Sequence, residues 1–271
     1  GALALQEQVL AVRARTLPDE HPDLQAARQG LANIRRGLGD LPGAFALQEQ
    51  VFAVWSKNLP DDHPNLQAAR LNLAGLKEAL GDLAGAIALQ EKVLTVWSES
   101  LPDDHPYLQS ARQGLANTKR ALGDLPGTLA LEEKVLAVLT STLPDEHPDL
   151  QTARGNLALT KRESGDLLGA LALEEQVLAI RAKTLPDEHP DVQLARGNLA
   201  VTRAALGDLP GALALEERVL AIRRKTLHDE HPHLQIARLN LASTKKALGD
   251  LQAALELEGE VLAVRTRTLP D

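Results

Sequence analysis

Histidine is the side chain best able to move a proton or bind a metal near neutral pH. The sequence carries one at positions 21, 63, 105, 147, 189 and 231, each inside Asp-Glu/Asp-His-Pro. Zinc holds its ligands at about 2 Å, whereas packed helix axes lie about 8–10 Å apart. Equivalent histidines in successive copies, with two helices between them, therefore cannot share an ion. Their spacing points instead to helix starts, with each His braced against the Asp two residues before it. His228, His231 and His233 form the one local cluster. Loop histidines without supporting hydrogen bonds bind metals poorly, so no metal site is assigned.

The chain has no Cys, which removes thiolate zinc sites, disulfides and a Cys nucleophile. It has no nucleophile elbow, phosphate loop or His-Glu-x-x-His run. Glu49, Glu91, Glu133, Glu175 and Glu217 recur at one helical position and read as a solvated charged face. No catalytic residue and no cofactor are assigned, and the chain is not expected to be an enzyme. A net charge of −8 opposes general nucleic-acid binding, which needs basic surface to displace counterions. No apolar run approaches the roughly 18 residues of a membrane span. The chain opens on a Gly within a repeat and closes on Leu269-Pro270-Asp271 in mid-motif, so a piece of a longer array is expected. The compartment is left open, with the cytoplasm as the default.

The elements that position these residues follow from a repeat. Asp-Glu/Asp-His-Pro recurs at 19–22, 61–64, 103–106, 145–148, 187–190 and 229–232, and Gly-Asp-Leu at 39–41, 81–83, 123–125, 165–167, 207–209 and 249–251. Both series step by 42 residues without an insertion. A fixed period of this size, in units that cannot bury their own apolar face, marks a solenoid. Leu24, Ala27, Leu31, Ile34 and Leu38 share one face of a helix from about Pro22 to Leu38. Ala44, Leu47, Val51 and Val54 do the same from about Gly43 to Asn58, with Phe45, Phe52 and Leu59 as a second flank. Two flanks require two neighbours. Apolar residues make up 44% and aromatics only 2%, a mix suited to thin layers of closely packed helices. Pro22 fits the first helical position, and Gly39 fits the left-handed residue that closes a helix. The expected architecture is all-α: an α-solenoid of antiparallel helix pairs forming one array over 1–271. A lone helix, 1–17, precedes units at about 18–59, 60–101, 102–143, 144–185, 186–227 and 228–269, giving 13 helices.

These residues resemble the tetratricopeptide repeat in the longer form found in kinesin light chains. Gly39-Asp40-Leu41, Ala44 and Val51-Phe52 are similar to the family's Gly-Asp-Tyr…Ala…Ala-Leu run. Asp61-Asp62-His63-Pro64-Asn65-Leu66 and Arg70-Leu71-Asn72-Leu73-Ala74 resemble the kinesin-light-chain pattern. The resemblance spans the chain and implies a right-handed superhelix, with the His-Pro helix first in each pair. It also implies that the face opposite the apolar stripe of each first helix lines a concave groove. In the first unit that face presents Ala26, Gln29, Gly30, Asn33 and Arg36.

By position, the resemblance places Asn72, Asn156, Asn198 and Asn240 where groove asparagines hold a ligand's backbone, with Asn33 and Asn117 on the same face. Gly30 and Gly114 interrupt the series. Arg36, Arg120, Arg162 and Lys246 border the groove, broken by Glu78 and Glu163, and hint at acidic peptides. Arg28, Arg35 and Gln48 depart from the family's apolar positions. Their equivalents lead to an expected row of ion pairs across the seam of paired helices: Arg112–Glu132, Arg154–Glu174, Arg196–Glu216 and Arg238–Glu258. Trp55 and Trp97 occupy a slot filled elsewhere by Arg13, Leu139, Arg181, Arg223 and Arg265, and are expected to pack locally. The implied function is a scaffold that binds a protein or extended peptide on its concave face. One alternative is a sensor or regulatory module of a larger signalling ATPase-like protein. Another is a structural spacer, monomeric or associating end to end through its uncapped ends.

Overall fold

A computed structural model describes residues 1–268 of the chain. Its elements are α1 (Ala2–Thr16), α2 (Pro22–Gly37), α3 (Leu41–Asn58), α4 (Pro64–Ala79), α5 (Leu83–Ser100), α6 (Pro106–Leu122), α7 (Leu125–Thr142), α8 (Pro148–Glu163), α9 (Leu167–Thr184), α10 (Pro190–Ala205), α11 (Leu209–Thr226), α12 (Pro232–Ala247) and α13 (Leu251–Thr268). The described residues thus form 13 helices and no strand, an all-α solenoid. They divide into two compact units, 1–138 and 139 onward. In the first, consecutive helices from α1 to α6 pack on one another, and those from α8 to α13 do so in the second. The end of the sixth predicted repeat, at residue 269, lies outside the described residues. No helix among them is long and apolar enough to cross a membrane.

Each predicted start and stop has a local cause. All six His-Pro histidines cap a first helix, Nδ1 accepting the N–H two residues on at 3.1–3.2 Å. The expected bracing against the preceding Asp is replaced by this cap, because that Asp is engaged by an Arg. Second helices begin two residues earlier than predicted, at Leu41 in the first pair, because Asp40 accepts from the Gly43 N–H at 2.9 Å. The same cap explains the glycine three residues on: a Cβ at Gly169 would stand 2.2 Å from Asp166 Oδ2.

Gly165 closes α8 at φ +89°, a conformation costly to any residue with a Cβ. An added Cβ there meets nothing within 4 Å, so Gly165→Ala isolates the backbone cost. A loss of about 1–2 kcal/mol in urea unfolding is expected. An unchanged midpoint would show that the left-handed close is not what holds this turn.

The core consists of thin layers. Leu150, Ala153, Leu157 and Ala158 of α8 are buried, as are Ala170 and Val177 of α9. Fully buried alanines, including Ala116, Ala158, Ala200 and Ala212, let neighbouring helices approach closely. Trp55 packs locally as expected, buried with Val51, Leu66 and Ala69.

The seam pairs do not form as predicted. Arg112, Arg154, Arg196 and Arg238 turn back to the Asp nine residues earlier: Asp103, Asp145, Asp187 and Asp229. Arg28–Asp19 and Arg70–Asp61 repeat the contact. The Gln three residues before each Arg donates its amide to that Asp's backbone carbonyl. Asp, Gln and Arg at i, i+6 and i+9 therefore form a latch that ties each connecting loop to its own first helix. The local carboxylate wins because the loop and the first turn bring it there without spanning two helices. Glu258, the last of the expected seam acids, is exposed.

The second basic series links helices. Lys119 reaches Glu91 at 2.8 Å, Arg203 reaches Glu175 at 2.9 Å and Lys245 reaches Glu217 at 3.2 Å. These glutamates are more than the solvated face they were read as. Arg112 holds Asp103 below the usual carboxylate range, and Arg196 does the same for Asp187.

Candidate functional site

The first helices present their non-core face as two recesses, one within each unit. That of the second unit holds about 460 Å³ between α8 and α10, floored by α9. Asn156, Asn198, Gly155, Leu159, Leu194 and Glu174 are among the residues that line it. It brings two of the predicted asparagines, 42 residues apart, into one concavity. The recess of the first unit holds about 640 Å³ between α4 and α6, floored by α5. It is the same place two repeats earlier, with different chemistry. Leu71 stands where Gly155 does, Gln90 for Glu174, Trp97 for Arg181, Tyr107 for Asp191 and Gly114 for Asn198.

The remaining predicted residues lie as follows. In the first unit Asn33 and Arg36 are exposed, Asn72 is half-buried, and Asn117 accepts from both Gln113 and Arg120 at 3.3 Å. In the second unit Asn240 is half-buried and Lys246 exposed. Arg162 does not point free into the groove. Its Nη1 donates to Glu174 Oε1 at 2.9 Å, to Thr202 Oγ1 at 3.2 Å and to the Asn198 carbonyl at 3.4 Å.

A column of buried carboxylates underlies this face. Burial raises the Glu174 carboxyl above its ordinary range, opposed by the Thr202 hydroxyl and by Arg162. Glu216 is buried and raised for the same reason, with only the Thr244 hydroxyl opposing. The position matching Arg162 is Ala204 here, and Glu216 makes no ion pair among the described residues. A signal for the column was present in the sequence. Glu174 and Glu216 each have Thr 28 residues on, where Gln6 and Gln48 have Ile34 and Leu76; Gln90, with Thr118, departs from the rule.

The aromatic slot also divides. Arg13, Arg181 and Arg223 each donate to the backbone carbonyl ten residues on, at 2.7, 3.3 and 2.8 Å. Trp97 instead stacks on Tyr107, with ring centroids 5.8 Å apart, and lines the recess. Sequence reasoning missed this pair, although Tyr107 is the only Tyr in the chain and stands ten residues after Trp97. In the histidine cluster, His231 is half-buried between His228 and His233, at ring separations of 5.4 and 5.3 Å. Desolvation first, then the two neighbouring rings and Arg223, lowers its pKa. No three His, Asp or Glu side chains converge as a metal-ligand set among the described residues.

Stacked helix pairs with a repeated latch and a left-handed glycine close define a helical-repeat solenoid. The chain belongs to the tetratricopeptide repeat family, whose models match residues 24–97, 65–141 and 191–267, and also 1–23 and 150–191. Among solved structures it is similar to a Podosopora anserina protein described as a kinesin light chain of nearly identical TPR-like repeats. That match has 33% identity and a TM-score of 0.70, over 77% of this chain and 99% of that one. A substituted form of that protein matches at 33% identity and a TM-score of 0.69, over 74% and 95%. BtubC from P. vanneervenii shares the fold at 21% identity and a TM-score of 0.63, over 98% and 94%. No curated protein matches the chain. Tetratricopeptide repeats form a general protein-interaction fold, binding other proteins or peptides.

Proposed function

We propose that this chain holds an extended segment of another protein on the concave face formed by its first helices. The observation that carries this reading is the recess in which Asn156 and Asn198 stand together. A side-chain amide donates and accepts at once, so two of them one repeat apart can grip a peptide backbone with little regard to its sequence. Asn240 continues the series in the next repeat. Gly155 keeps the wall between them low, since a Cβ there would meet open space. The preference for acidic ligands narrows to Arg36, Arg120 and Lys246, which have no ion pair among the described residues. Arg162 is neutralised by Glu174.

A peptide-display selection on the intact chain tests the reading, repeated with Asn156, Asn198 and Asn240 all changed to Ala. Enriched peptides should lose about tenfold or more in affinity on the triple variant, since each lost hydrogen bond contributes about 0.5–1.5 kcal/mol. Equal binding by a folded triple variant would remove the asparagine face as the working site.

A further inference from the structure

We infer that the recess of the first unit is a cation subsite, taking a lysine or arginine side chain of the partner segment. The inference rests on the reading of a ligand-holding face and specifies what one part of that face selects. Trp97 and Tyr107 form a stacked aromatic wall, and Tyr107 is 63% exposed, leaving ring surface open to a ligand. His105 meets the Tyr107 ring edge-on at 5.1 Å and fixes it at the rim. Gly114, two turns along the helix that carries Tyr107, adds no bulk, and Leu71, Ala68 and Ala111 complete a lining that would cover the aliphatic stem of a long basic side chain.

An apolar wall alone would suit an apolar guest equally well, and the polar groups decide between them. Gln90, at the floor, is 8% exposed, and its Oε1 is buried with no hydrogen-bond partner. It is an acceptor waiting for an N–H donor, which an aliphatic side chain lacks. Asp62, in the lining, makes no ion pair among the described residues. The lining contains no Lys or Arg. Residues 61–114 carry eight carboxylates against four cations. All four cations are already engaged: Arg70 and Lys92 by Asp61, Lys77 by Asp82 and Arg112 by Asp103. The field at this recess is therefore negative, and an aromatic face attracts a cation on its own account. The matching recess of the second unit has Arg181 at the place of Trp97, so the subsite belongs to the first unit alone.

The test uses capped peptides Ala-Ala-Xaa-Ala-Ala with Arg, Lys, Leu or Glu at the centre, titrated into the intact chain. The chain has two Trp residues, so two indole N–H signals report by NMR, and Trp97→Phe assigns them. The Arg and Lys peptides should shift the Trp97 signal saturably and leave that of Trp55 in place. Tyr107→Ala should weaken binding about tenfold, and Asp62→Asn about threefold with a reduced dependence on salt. Both positions are exposed, and circular dichroism confirms that each variant is folded. The triple Asn→Ala variant should bind these peptides unchanged, which separates this inference from the reading above. Leu binding as tightly as Arg would overturn it in favour of an apolar anchor. No saturable shift with either basic peptide up to roughly 10 mM would overturn it outright.

Discussion

Asp103→Ala is expected to destabilise the chain strongly, whereas Arg112→Met is expected to leave it nearly as stable as before. The two changes break the same latch from opposite sides. Arg112 is 1% exposed, so removing its carboxylate strands a guanidinium that water reaches poorly. Its Nη1 keeps the Asp103 backbone carbonyl as an acceptor at 3.2 Å, so what is lost is the charge partner of a buried guanidinium. Met at 112 removes the charge with the need for it, fills similar volume and leaves Asp103 facing solvent, where it also has Lys134 within 3.8 Å. Urea unfolding of both variants at pH 7 checks the asymmetry. Equal losses would show that Arg112 is held by packing of its stem and not by the carboxylate.

The same pair sets a pH window. The Asp103 carboxyl is lowered by its hydrogen bond to Arg112, so the folded state binds that proton later than the unfolded state does. Its contribution is complete above the unfolded value of about 4 and is lost as pH falls through the lower folded value. The gap between wild type and Asp103→Ala should therefore close on acidification below about pH 4.

Glu216→Gln is expected to stabilise the chain at pH 7, and the matching Glu174→Gln to destabilise it or do nothing. Glu216 is a carboxylate buried without a cation, and its raised pKa means that the fold prefers its neutral form. Its cost is absent below the unfolded value of about 4.3 and grows as pH rises towards the folded one. An amide of the same shape keeps the Thr244 hydroxyl contact and removes the charge. A gain of about 1–2 kcal/mol follows from sparing a poorly solvated ion. At Glu174 the same change strips Arg162 of its anion in a half-buried place, which cancels or reverses the gain. Thermal melts at pH 5 and pH 7 check both. If Glu216→Gln melts lower at pH 7, the buried carboxylate is serving the fold in a way that the Thr244 contact alone does not explain.

Much of the architecture could be read from the residues, because its causes are local. Pro22 and its equivalents fix where first helices start, Gly39 and its equivalents fix where they stop, and the apolar spacing within about 17 residues assigns the buried face. The unbroken 42-residue step then carries one reading through the chain, including the two-neighbour packing of second helices. The placement of the asparagines on one face came from the resemblance; that Asn156 and Asn198 line one recess came from the structure. The choice of partner for a long charged side chain was not legible. Arg112 could reach a seam glutamate or a loop aspartate by spacing alone, and a helical wheel contains no loop. Arg162 read as a groove border for the same reason.

What the sequence determined by itself was the repeat, its family, where first helices start and the absence of any recognised catalytic motif, since each depends on residue type at a fixed interval. Only the tertiary structure decided where the long side chains end. It turned six arginines back onto their own loops, and it placed Trp97 and Tyr107 in one wall above Gln90. Those outcomes depend on which atoms lie within about 3–6 Å after helices from different parts of the chain have packed. A 42-residue period fixes which positions are equivalent, and it does not fix what each side chain meets there.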